Sequence, residues 1–361
     1  MKTLVSFLIL IVSQLVQAKS LNVSEIRFCY YNFREEMSTA AVIAGDSKGY
    51  FREQGIVLKY FNNDALVFSR NNILTQALFN EAAEKKIYFN QGIVNEVGLV
   101  QKTIEQSDCD IAVVNAEAVL LNKNNSNLKM LSSYLYGGQY DTHMLVASNL
   151  KADSVKDLKG KKVRVGRLAT YFLLEKILNE SGMSEKDVVI VKESPDNLSL
   201  KLSQSDISAV IAYNPTVPLL LASGQVRVLK ENLFSTYLKP YIPSSVLISS
   251  KKFAKNKKDL IKKFMKAYVQ STKLISENPE EVVNALKSSQ GNHFKYTYTN
   301  AEIERAASIM KLAEPFYFDK DYQAQSSSPF THDSVKAAFL RYQEELINHK
   351  LVAEKTNLDY L

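Results

Sequence analysis

Residues 26–61 read IRFCYYNFREEMSTAAVIAGDSKGYFREQGIVLKYF. The first six are a short apolar and aromatic run, the composition of a strand. Residues 37–50 then change period, with Ala40, Ala41, Ile43 and Ala44 at helical spacing. Gly49 can end that helix, Phe51 can cover its exposed end, and Gly55 can supply a left-handed turn into a second apolar run at 56–61. Strand, helix and strand in this order predict a parallel sheet.

The alternation continues outward from this unit. Helical spacing over 70–85 is followed by a strand at 87–90, a helix over 94–107 and a strand at 111–114. It restarts with a strand at 162–166, a helix at 171–181, a strand at 188–192, a short helix at 199–204 and a strand at 207–213. Two β-like runs, 143–148 and 245–249, stand between and after these units and suit crossover strands that would form a hinge. From Lys251 onward the pattern is helical, at 259–276, 279–288, 300–312 and 334–348. The expected class is α/β: residues 19–147 and 246–361 form one lobe with C-terminal helices, and 148–245 form the second.

The first 18 residues have the layout of a secretory signal: Lys2 is followed by a nearly apolar run from Leu4 to Val16, with small residues ending at Ala18. The run is interrupted by Ser6, Ser13 and Gln14 and is shorter than the ~20 residues a membrane span needs. Cleavage leaves roughly 343 residues, enough for two domains. Export predicts a protein free in the periplasm or secreted. Cys29 and Cys109 are the only cysteines, which excludes a disulfide framework and leaves room for one bridge in an oxidising compartment. The net charge of +7 is spread through lysine-rich helices. No clustered basic stripe accompanies a nucleic-acid module, so nucleic acid is not an expected partner.

Three motifs carry a resemblance. Residues 49–56, GYFREQGI, resemble the turn after the first helix in the substrate-binding proteins for nitrate, taurine, aliphatic sulfonates and thiamine precursors. Residues 154–163, SVKDLKGKKV, resemble the start of that family's second lobe, and 110–114, DIAVV, resemble one of its strands. The resemblance spans about 26–250 and implies a type II periplasmic-binding-protein fold, two doubly wound lobes joined by two crossover strands. It also implies a binding component of an ATP-driven importer, with a membrane permease as partner, acting as a monomer. Two departures stand out. Residues 63–86 look like an insertion, and Gly166-Arg167-Leu168 replaces the family's Gly-Ser, so the bare backbone nest for an oxyanion is not evident.

In an open parallel sheet, ligands sit beyond the carboxyl ends of the strands. The candidate contacts are therefore Tyr31 and Asn32 after the first strand, Gln91 and Gly92 after the inserted one, and Asn115 after 111–114. On the second lobe they are Arg167, Thr170 and Tyr171, with Tyr213 and Asn214 after the last strand. Tyrosines paired with amides suit a neutral or weakly charged heterocycle, of the kind a thiamine precursor contains. Glu117 is read as a carboxylate favoured by the start of a helix.

Catalytic readings find little support. The four histidines, His143, His293, His332 and His349, have no zinc-site spacing, and there is no nucleophile elbow, phosphate loop or dinucleotide fingerprint. No cofactor, metal or catalytic residue is expected. Two competing functions use the same fold: a ligand-sensing accessory of a signalling receptor, and a secreted enzyme. The fungal thiamine-pyrimidine synthase is such an enzyme, but its cysteine-rich segment has no counterpart here.

Overall fold

In the computed structural model the described residues are 23–30, 37–62, 97–103, 108–122, 125–137, 141–191, 207–213, 217, 220–221, 223–238, 241–289, 315–324, 326, 328 and 330–352. The opening stretch forms β1 (Ser24–Tyr30), α1 (Met37–Ser47) and β2 (Ile56–Asn62), with β1 and β2 parallel and Phe28 opposite Tyr60. Gly49 (φ 84°) and Gly55 (φ 70°) hold the left-handed conformations that the turn requires. Phe51, between them, is fully buried against Phe264 at 5.1 Å between ring centroids.

The chain continues through β3 (Ile111–Asn115), α2 (Ala116–Leu121) and β4 (Leu128–Tyr136), then β5 (Thr142–Ala147), β6 (Lys162–Val165), α3 (Leu168–Glu180), β7 (Val189–Val191), β8 (Ala209–Tyr213) and β9 (Val226–Lys230). After α4 (Leu233–Tyr237) come β10 (Ile242–Ser250), α5 (Lys258–Glu277), α6 (Pro279–Ser289), β11 (Pro315–Tyr317) and α7 (His332–Asn348). The signal-like segment, the expected elements at 70–85, 87–90, 199–204 and 300–312, and the inserted segment 63–86 lie outside the described residues.

Two sheets result, ordered β11-β4-β10-β3-β1-β2 and β7-β6-β8-β5-β9. Each has three parallel strands in the doubly wound order second, first, third, followed by one antiparallel strand: β10 in the first sheet, β5 in the second. The run expected as the first crossover is thus β5, bonded wholly within the second sheet, so the chain passes between sheets from Tyr136 to Thr142. The return passage runs from Lys230 to Ile242. Asp141 ties both passages together: its fully buried carboxylate accepts from the N–H groups of Phe234 (2.8 Å) and Ser235 (2.9 Å) at the start of α4, just before the chain leaves. Those are helix-end donors that would otherwise lack a partner.

The other motif regions fold as their local chemistry dictates. Ser154 and Asp157 form a capping box, with Asp157 Oδ2 accepting from the Ser154 N–H at 2.8 Å, and Gly160 (φ 72°) stops the turn before β6. Asp110, before β3, accepts from the Arg27 guanidinium at 2.7 and 3.1 Å and from its backbone N–H at 2.8 Å. Cys29 and Cys109 are joined in a disulfide at the same junction. In the first lobe α1 packs on α5 so closely that a Cβ at Gly45 would overlap Ser271 Oγ.

Candidate functional site

Parallel strands turn into helices at their carboxyl ends, and three such turns gather the site. β1 leads to α1, whose first turn holds Ser38 and Thr39, both fully buried; Ser38 lies beside the Tyr268 hydroxyl, while Thr39 Oγ1 has no hydrogen-bond partner among the described residues. β3 leads to α2 through Asn115, which occupies the N-cap position without a side-chain cap. Its Cα pairs with Ser245 on β10, and the buried Ser245 Oγ likewise has no hydrogen-bond partner among the described residues. β6 leads to α3 through Gly166 and Arg167.

Glu117 corrects the expectation of a plain helix-start carboxylate. The residue is 2% exposed, and its Oε1 finds no hydrogen-bond partner among the described residues. Burial pushes its carboxyl above the usual range; the Arg167 guanidinium, which belongs to the second lobe, pulls the other way, as does the Tyr342 hydroxyl from α7. A carboxylate that merely served the helix dipole would face water. This one is closed in between two lobes, a position that the linear pattern could not reveal.

The remaining expected residues divide as follows. Arg167 is buried at the N-cap of α3. Thr170 is fully buried and its hydroxyl is taken up locally, accepting from the N–H groups of Gly166 (3.2 Å) and Arg167 (3.0 Å) and donating to the Arg167 carbonyl at 2.8 Å. Tyr171 donates its hydroxyl to Glu185, and burial and that carboxylate push its ionisation upward. Thr170 secures the start of α3, and Tyr171 ties that first turn to the turn following the helix. Tyr213 ends β8, its Cα opposite Thr142 on β5, and Thr142 Oγ1 is buried with no hydrogen-bond partner among the described residues. Tyr31, Asn32, Gln91, Gly92 and Asn214 lie outside the described residues, as does the side chain of Tyr213. Sequence reasoning passed over Thr39, Thr142 and Ser245, because a lone hydroxyl carries no pattern signal; a buried hydroxyl without a partner becomes visible only once the fold is assembled.

The family model described as NMT1/THI5 like matches residues 87–282, more than half of the chain. The chain belongs to the NMT1/THI5-like family. No curated protein sequence matches it significantly. Among solved structures, the NMT1/THI5-like chain resembles the alkanesulfonate-binding protein SsuA of Xanthomonas axonopodis pv. citri bound to MOPS, with a TM-score of 0.60 and 15% identity over 91% of this chain and 94% of that one. It resembles the periplasmic aliphatic sulphonate-binding protein SsuA of Escherichia coli with a TM-score of 0.59 and 16% identity, covering 92% of this chain and 95% of that one. The desulfurization enzyme DSZB is similar as well, with a TM-score of 0.57 and 13% identity over 92% and 95% of the two chains. At such identities the likeness is one of fold, and that fold is the periplasmic-binding-protein architecture that the motifs imply.

Among the described residues no group of histidine, cysteine, aspartate and glutamate could hold a metal ion. No described helix is long and apolar enough to cross a membrane.

Proposed function

We propose that this chain is an exported binding protein, periplasmic or secreted, that closes two lobes around a small organic molecule and presents it to the membrane permease of an ATP-driven importer. The observation that carries the reading is a set of buried polar atoms at the strand ends that have no partner among the described residues. Glu117 Oε1, Thr39 Oγ1 and Ser245 Oγ stand on the first lobe, Thr142 Oγ1 on the second, and Arg167 opposes Glu117 across the division. A buried polar group left unpaired costs roughly 1–3 kcal/mol, so several together mark a place where a ligand completes the bonding.

The ligand contacts proposed are Arg167, Asn115 and Glu117, joined by Tyr31, Asn32, Gln91, Gly92, Tyr213 and Asn214 at neighbouring strand ends. A neutral or weakly charged heterocycle suits these amides and aromatic rings better than a bare oxyanion, because each amide can both donate and accept beside a flat apolar face. The protein acts as a monomer, and the lobes that move are the two sheets with their attached helices.

An enzyme on this fold is the second reading, favoured by the likeness to DSZB. Both cysteines are consumed in the disulfide, so no thiol is present to act as a nucleophile. Mass spectrometry of compounds that copurify with the exported protein, followed by calorimetric titration of the compound found, tests the proposal. One-to-one binding with the compound unchanged supports it; chemical turnover of the bound compound would establish the enzyme, and failure of every copurifying compound to bind would refute the binding role.

A further inference from the structure

The C-terminal helix α7 touches both lobes. It packs along β10 and α2 of the first, while its side chains reach α3 of the second. Tyr342, Glu345 and His349 recur at intervals of three and four, so they share one face. The Tyr342 ring meets Phe172 edge-on at 6.5 Å between centroids. Glu345 Oε1 lies 2.9 Å from Lys176 Nζ. His349 stacks on Phe172 at 4.0 Å between centroids, with its Nε2 2.5 Å from Glu175 Oε2 and its Nδ1 2.8 Å from the carbonyl oxygen of Glu345.

Both partners of the imidazole only accept hydrogen bonds. A neutral ring carries one N–H and would turn a lone pair toward one acceptor; the imidazolium donates to both. The charged groups that act on the ring are Glu175 from α3 and Glu345 from α7 itself, and Lys176 of α3 is engaged by Glu345. The neighbouring Tyr171 hydroxyl is engaged by Glu185. Burial pushes the imidazole down, but the bonds to Glu175 and Glu345 outweigh it and the net shift is upward. Glu175 is held low, first by its bond to His349. A cavity of about 290 Å³ separates α7 from Tyr237, Leu238 and Tyr241. The side chains by which α7 meets the second lobe are those against α3.

We propose that α7 is a clasp across the two lobes, fastened by His349 on Glu175, so that closure of the cleft weakens as pH rises. The inference rests on the reading that the lobes open and close, and Tyr342, on the same face as His349, lies beside Glu117 at the start of α2. The imidazolium's contribution is full below its unfolded value of about 6.5 and is lost as pH rises through the higher value in the clasped state. Glu175's contribution is present above its unfolded value of about 4.3 and fades as pH falls through its lowered one.

The test needs no ligand. Spin labels on Val57→Cys in β2 and Val189→Cys in β7, both exposed, report the distance between lobes, since the native cysteines are paired. The short distance should dominate near pH 6 and give way to a longer one by pH 9, with a midpoint above 6.5. His349→Gln should populate the long distance at pH 6 and abolish the pH dependence, and Glu175→Gln should do the same, with thermal melts showing that each variant folds. If His349→Gln fails to fold, Glu175→Gln decides alone. A distance unchanged across pH in the unsubstituted chain, or a pH dependence that survives in the variants, overturns the clasp. A pH-driven distance change with no ligand ever found would leave the clasp standing and refute the binding role instead.

Discussion

The carboxylate of Glu117 at the start of α2 and the guanidinium of Arg167 at the start of α3 oppose each other from different lobes, and both residues are buried. Burial raises the Glu117 carboxyl, so ionising it in the folded chain is unfavourable. The stability that its neutral form supplies is complete below the unfolded value of about 4.3 and is lost as pH rises through the higher folded one. Without ligand, Glu117→Gln should therefore melt at a higher temperature than the parent at pH 7 and at nearly the same temperature at pH 4. Scanning calorimetry at the two pH values checks this; a variant less stable at pH 7 would show that the carboxylate is already well compensated.

Arg167→Ala removes the opposing charge while leaving Glu117 buried. Affinity for the copurifying compound should fall by at least about tenfold, on the order of 1.4 kcal/mol, and the loss should show mainly in the dissociation rate. Surface plasmon resonance separates the two rates. An unchanged dissociation rate would remove Arg167 from the site.

Ser245→Ala and Thr142→Val delete buried hydroxyls that have no hydrogen-bond partner among the described residues. Deleting an unpaired buried hydroxyl should leave the melting temperature of the empty protein unchanged or higher. If the ligand uses these groups, affinity should drop by about 0.5–1.5 kcal/mol for each. Melting curves and titrations on the same samples test both halves. A lowered melting temperature with full affinity would make the hydroxyls structural.

The disulfide closes a loop between Cys29 and Cys109, 80 positions apart, and cross-linking a loop of that length stabilises by roughly 4–5 kcal/mol in the chain-entropy account. The Arg27 to Asp110 bonds secure the same junction and remain after reduction. Urea unfolding of the Cys29→Ser, Cys109→Ser double variant should show a midpoint well below the parent's. Coincident curves would mean that the ion pair suffices.

Gly45→Ala places a methyl group against Ser271 Oγ and should destabilise by about 1–3 kcal/mol through overpacking. Adding Ser271→Ala should recover part of that loss. Denaturant titration of the single and double variants measures the coupling, and simple additivity would place the strain elsewhere.

What the sequence determined by itself was whatever depends on neighbours along the chain. The β1, α1, β2 unit and the left-handed glycines at 49 and 55 were legible because propensity, period and turn chemistry act over a few residues. β4 escaped because Ser132 and Ser133 lie buried in its middle between two flanking strands, which erases any alternation of polar and apolar positions. The assignment of β5 to the second sheet, the enclosure of Glu117 and the meeting of His349 with Glu175 could be decided only by tertiary structure. Each depends on partners brought together by the docking of whole elements, 174 positions apart in the last case. An isolated residue's surroundings, and with them its charge and bonding, do not exist until the lobes pack.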